Sequence, residues 1–176
     1  MAVAGEWIIE NGIDSQNVGS PLLAVNCQLS TLSEVVMRQG PFWDVMEGRK
    51  PAPPAAATLG FKLLDIDPDQ GTIRVQFEAK TEFTNPMGNV QGGFLAAMLD
   101  DTLGPALVAT LPKDHFAPTI ELKVNFIRGA KPGRLIGVGR VVSRGGTIAF
   151  LAGELTTEQG ELIATATATA RIVKMT

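Results

Sequence analysis

NPMGNVQGGFLAAMLDDTLGPALVATL, residues 85–111, decides how this chain folds. It opens as a loop, because an Asn-Pro pair followed by glycine encodes a turn. It then passes through Gly92-Gly93 and becomes an apolar run interrupted by Asp100 and Asp101. The run predicts one long buried helix over residues 92–110. A buried carboxylate is costly unless it is hydrogen-bonded, paired or neutralised. Either one face of the helix meets water, or a carboxylate is held in a pocket for a purpose.

Outward from this helix the pattern changes to strands. Before it, TLGFKLLDID and GTIRVQFEAK flank the turn PDQG, and the second alternates Ile73, Val75 and Phe77 inward with Arg74 and Gln76 outward, which predicts a hairpin. After it come TIELKVNFI, RLIGVGRVVSRG, TIAFLAGELTTEQ and LIATATATARIV, separated by turns at GAKPG, RGG and EQGE. Four strands joined so tightly predict an antiparallel meander. The sheet has one apolar face to cover and only this helix is hydrophobic enough to cover it, so the sheet should curl around the helix. Alternating Ala and Thr in IATATATA suit a strand lying close to another sheet, another subunit or a free edge.

The N-terminal part is less regular. STLSEVVMRQG has a serine cap at Ser30 or Ser33, Glu34 in the first turn and Gly40 as a stop, the signature of a short helix. PFWDVMEGR adds a helical turn or two, with Phe42, Trp43 and Met46 on one side. KPAPPAAA then reads as a Pro/Ala connector that cannot be helix interior. It divides the chain into an N-terminal helical extension, residues 1–50, and a main domain, residues 51–176.

Composition removes several classes of function. At 176 residues, with 45% hydrophobic and 19% charged residues and a net charge of −3, the chain can build a core without staples. It offers no surface suited to nucleic acid. The lone Cys27 permits no intrachain disulfide and no multi-cysteine zinc site, which suits the cytoplasm. No apolar run free of charge reaches bilayer length, and MAVAGEWIIENG does not read as a signal peptide. The single histidine, His115, sits in the expected loop LPKDHFAP, away from the helix, which disfavours nucleophilic systems needing an imidazole base.

NPMGNVQGGFLAAMLDDTLG followed by PTIELKVNFIRGAKPG resembles the hotdog-fold acyl-CoA thioesterases, in particular the phenylacetate-pathway (PaaI-like) group, over residues 56–173. The resemblance implies an α+β hotdog fold, an antiparallel curved sheet wrapped around one long central helix. It implies hydrolysis of an acyl-CoA or aryl-CoA thioester, with CoA as part of the substrate and with no cofactor and no metal. In that family the helix opens with His-Gly-Gly, after an asparagine and before an acidic residue. Here these positions are Gln91-Gly92-Gly93, Asn85 and Asp100. Gln91 departs from the family histidine; an amide can donate and accept hydrogen bonds but cannot relay a proton near neutral pH. Thr119 matches a family Ser/Thr that orients the attacking water.

The residues themselves suggest how such chemistry would run. Gly92 and Gly93 open a helix, so their amides point outward unpaired at its positive end and make an oxyanion site. Asp100 lies eight residues after Gly92, about 12 Å along a helix axis, so one chain cannot bring both to one carbonyl. Two antiparallel helices in a homodimer, or in a dimer of dimers, would set Gly92 of one subunit against Asp100 of the other. Asp100 is then the nucleophile or general base, and Asp101, turned by about 100°, is expected to meet solvent or a backbone donor. Arg128, Lys131 and Arg144 are candidates for the CoA phosphates, and Phe83, Met87 and Phe94 for an acyl channel. The rival reading is a non-catalytic acyl-CoA sensor on the same fold, with Gln91 marking a site that binds without turnover.

Overall fold

The computed structural model describes residues 38–176. The helix expected from Ser30 or Ser33 lies outside the described residues up to its last three positions, which are not helical, as does Cys27. Two short helices, α1 (Pro41–Met46) and α2 (Pro54–Leu59), precede the hairpin of β1 (Lys62–Asp67) and β2 (Thr72–Ala79). The long helix α3 (Gly92–Val108) follows. Then come β3 (His115–Phe116), β4 (Thr119–Phe126), β5 (Gly133–Arg144), β6 (Ile148–Thr157), β7 (Leu162–Arg171) and β8 (Val173–Lys174).

Six strands form one antiparallel sheet in the order β1-β2-β5-β6-β7-β4. The hairpin is as expected: Asp67 Oδ1 accepts from the amides of Asp69 and Gln70 in its turn, and Ile73, Val75 and Phe77 are buried. The simple four-strand meander is not. Only β5, β6 and β7 are joined in that way, while β4 crosses to the far side of β7 and β2 takes the remaining edge of β5. The reason lies in the connection after β4. Ile127 and Arg128 donate their amides to Ile163 O at the start of β7, and Ala130 O accepts from Val90 in the loop before α3, so the chain is tied away from a hairpin.

The sheet wraps α3, which touches β2, β4, β5, β6 and β7. This is the expected α+β architecture. In β7 the alanines at 164, 166, 168 and 170 are all buried, and the threonines between them occupy the other face. That strand is interior, so its small residues serve the close approach of its own helix. His115 is not in a loop, because β3 pairs with β8 and sets it in a two-stranded ribbon. Within the described residues, no helix is long and apolar enough to cross a membrane.

Residues 38–50 do not stand apart from the sheet. Phe42 is buried, α1 and α2 both touch α3, and one compact unit runs from Met37 to Thr176. An aromatic side chain buried against α3 thus outweighs the proline-rich composition behind it. The connector is partly helical as well. Pro54 occupies the first turn of α2, where its missing N–H costs no helical bond.

Space for α3 is made by glycine. A Cβ on Gly137 would lie 2.3 Å from Thr102 Oγ1 and 3.0 Å from Val75 Cγ2, and one on Gly139 3.0 Å from Thr102 Cγ2. Thr102 is the buried polar residue of this core, satisfied by donating its hydroxyl to Met98 O at 2.7 Å. Gly137→Ala should therefore destabilise the protein by about 1–3 kcal/mol through overpacking. Urea unfolding of the two proteins, compared at equal slope, checks this.

Candidate active site

The apolar sequence of α3 is broken on one side only. Asp100, Asp101, Gly104, Pro105 and Val108 recur at helical spacing and together line a cleft of about 690 Å³. The opposite wall is apolar and comes largely from the segment before the sheet, through Phe42, Val45, Met46 and Phe61, with Leu63 of β1, while Phe116 to Thr119 close one end. The floor is open because Gly104 carries no side chain and a Cβ there would meet nothing within 4 Å. Pro105 has no N–H to return to the carbonyl of Asp101, so the helical ladder is interrupted beside the carboxylates.

Asp100 and Thr119 come together at one end of this cleft. Thr119 begins β4, and its Oγ1 donates to Asp100 Oδ1 at 2.8 Å. That bond fixes one carboxylate oxygen and leaves the other directed by the same rotamer. Asp101 is half-buried at the cleft, and its side chain accepts from no backbone donor among the described residues. Its Oδ2 is buried with no hydrogen-bond partner among the described residues. Burial pushes its carboxyl up to about 6, and the neighbouring Asp100 charge acts in the same direction.

Gly92, Gly93 and Gln91 lie at the other end of α3. Gln91 is the N-cap, and its Oε1 accepts from the Gly93 amide at 2.7 Å. The Gly93 amide is therefore engaged, whereas no hydrogen bond is made by the Gly92 amide among the described residues. Gly92 lies under the ring of Phe126, whose Cζ would be 3.1 Å from a Cβ at that position. Asn85 serves the preceding loop, with Oδ1 accepting from the amides of Met87 and Asn89. It donates nothing to Gln91 in this arrangement.

The three cations expected at a phosphate site are dispersed. Arg128 pairs with Glu161 at 3.2 Å, Lys131 donates to Gly88 O, and Arg144 donates to Thr110 O and Oγ1 near the end of α3. None of them lines the cleft. Phe83 and Phe94 stack on each other, with ring centroids 4.1 Å apart, and Met87 is 79% exposed, so the acyl channel expected from these three is not formed by them. Sequence reasoning missed the real apolar wall, although its signal was present: Phe42, Val45 and Met46 follow the i, i+3, i+4 spacing of a buried helix face.

The sequence profile of the thioesterase superfamily matches residues 87–164. A crystal structure described as a "putative thioesterase, phenylacetic acid degradation-related protein" from Ralstonia eutropha JMP134 is 38% identical. It covers 74% of this chain and 98% of its own, with a TM-score of 0.72. A thioesterase family protein from Silicibacter pomeroyi is 25% identical, covering 76% of this chain and 99% of its own, with a TM-score of 0.68. A "putative esterase" from Saccharolobus solfataricus is 31% identical over 105 residues, 58% of this chain and 74% of that protein. The PaaI protein of the E. coli phenylacetic acid degradation operon, at 17% identity, shares the fold over 77% of this chain and 96% of its own, with a TM-score of 0.67.

The state of Asp101 has a measurable consequence. Its folded value lies above the ordinary carboxylate value of 3.8, so the folded state favours the neutral acid. That preference is fully present below about pH 4 and is lost as pH rises toward 6. Relative to Asp101→Asn, the parent protein should lose stability between those limits and stay level above them. Denaturant unfolding of both proteins at half-unit steps from pH 4 to 7.5 measures the difference.

Proposed function

Because the chain belongs to the thioesterase superfamily, as a thioester hydrolase of the PaaI-like hotdog group, we propose that its substrate is an acyl-CoA or aryl-CoA thioester. The acyl group lies in the apolar cleft and hydrolysis takes place at Asp100. The observation that carries this reading is the Thr119–Asp100 hydrogen bond at the end of that cleft. A carboxylate held in one orientation at an apolar pocket can take a proton from water as the water attacks the thioester carbon, or attack that carbon itself. Thr119 is a positioning residue here. The hydrolase family counts against the rival sensor reading.

Negative charge developing on the carbonyl oxygen needs donors already in place. The Gly92 amide is the available one, since Gln91 engages that of Gly93. Gly92 and Asp100 are eight residues apart on one continuous helix, about 12 Å at 1.5 Å per residue, so a working site takes one from each of two chains. The edge strand β4 supports that arrangement. Among the described residues it pairs only with β7, and it exposes Ile120 and Phe126. Its Thr119 end lies beside Asp100 and its Phe126 end beside Gly92. Antiparallel pairing of two copies along β4 would set the first end against the partner's second end, twice by symmetry. The reaction uses no cofactor, since water, carboxylate and amide suffice, and the compartment we propose is the cytoplasm.

Free-thiol assays across short, medium, long and aromatic CoA thioesters should find at least one substrate. Asp100→Asn should keep fold and assembly and lower turnover about 100-fold or more. Chains carrying Asp100→Asn and chains carrying Gly92→Val should each be inactive alone. Mixed, they should regain one working site per heterodimer. Recovery of nothing in verified heterodimers, or full activity in a monomer by ultracentrifugation, contradicts the two-chain site.

A further inference from the structure

A second cleft, of about 430 Å³, lies on the other side of α1, and its lining is basic. Arg38, Arg49, Lys50 and Lys113 line it, with Asp44 as the acidic residue among them. These are four of the chain's fifteen Lys and Arg residues, gathered in one place on a protein whose net charge is −3. Asp44 accepts from Arg49 at 2.9 Å and Lys50 at 3.0 Å, and Arg49 also pairs with Glu47. Hydrogen bonds from Lys50 and then Arg49 hold the Asp44 carboxyl below its ordinary value, so it remains an anion bracing two of the cations. Arg38 and Lys113 have no acidic partner among the described residues. The Arg38 guanidinium lies 4.9 Å from the centre of the Trp43 ring, which keeps its plane ordered without neutralising it.

The two clefts share one partition. Pro41 lines both; Phe42, Val45 and Met46 face the apolar side, while Gly40 and Asp44 face the basic one. Gly40 brings the partition against Lys113, since a Cβ there would lie 3.3 Å from Lys113 Cα. Its φ of +124° is one that side chains rarely adopt. A helix with its side chains is about 10–12 Å across, less than the length of an extended pantetheine arm. A thioester with its acyl group in the apolar cleft can therefore carry phosphates over α1 into the basic one.

The geometry points to this basic cleft as the seat of the phosphates of the CoA portion of the substrate, with Arg38 and Lys113 as their ligands and Asp44 fixing Arg49 and Lys50 around them. The inference rests on the CoA thioester reading above. It replaces Arg128, Lys131 and Arg144 as the phosphate ligands, which do not line either cleft. Guanidinium and ammonium groups with donors to spare are what a phosphate dianion needs, and their strength depends on ionic strength.

Calorimetric titration of the full chain with CoA, with adenosine 3′,5′-bisphosphate and with pantetheine tests it directly. Replacing both Arg38→Ala and Lys113→Ala should weaken the first two by about tenfold or more, the scale of losing charge-assisted hydrogen bonds, and leave pantetheine unchanged. In kinetics the same change should raise KM for a CoA thioester, hold kcat, and spare the matching pantetheine thioester. The single change Lys113→Gln gives a milder version of the same pattern if the double variant folds poorly. Unchanged CoA affinity, an equal loss with pantetheine, or a loss found instead in Arg128→Ala, Lys131→Ala chains overturns the site. Hydrolysis that persists with no bisphosphate binding sinks this site and leaves the thioesterase reading standing. Bisphosphate binding that needs Arg38 and Lys113 in a protein that cleaves no CoA thioester does the reverse.

Discussion

Everything the protein can do depends on how closely one helix lies against one sheet. α3 carries Gly92 at its start and Asp100 and Asp101 in its middle. It can lie against β5 and β6 only because Gly137, Gly139 and Gly153 present backbone where side chains would collide with Thr102 and Leu103. Protein interiors are packed so densely that such an approach tolerates little change. The hydroxyl of Thr102 would be a liability at full burial, yet it donates to its own helix one turn back, so the seam between helix and sheet leaves no unpaired group there.

From that seam the site follows. With one side of α3 packed into the sheet, its small and polar side, from Asp100 to Val108, faces the segment that precedes the sheet. A cleft forms between the two. Its two carboxylates have opposite surroundings. Asp100 is oriented by a threonine hydroxyl from the edge strand, and Oδ2 of Asp101 is buried without a partner among the described residues. Burial raises the Asp101 carboxyl above its ordinary value, while Asp100 is held in orientation by its hydrogen bond.

The segment before the sheet contributes more to function than its composition suggests. α1 is only six residues long, too short to be stable alone. It is held by Phe42, which is buried and meets Trp43 edge to face at 5.1 Å. Lying against α3, it becomes a wall with an apolar side and a basic side, one facing each cleft.

The sequence by itself determined the hairpin and the long central helix, and its resemblance to the hotdog thioesterases implied the sheet wrapped around that helix. Period-two alternation and a long, predominantly apolar run are local, and local pattern survives without knowledge of neighbours. Only the tertiary structure decided that β4 runs beside β7, because the ties of Val90 to Ala130 and of Ile127 and Arg128 to Ile163 join parts far apart in the chain. It alone decided that Asp101 is deprived of a partner, that Gln91 occupies the Gly93 amide, and that Phe42 and Met46 rather than Phe83 and Met87 face the cleft. Burial, pairing and the sharing of a cavity are relations between segments, and no single stretch of sequence carries them.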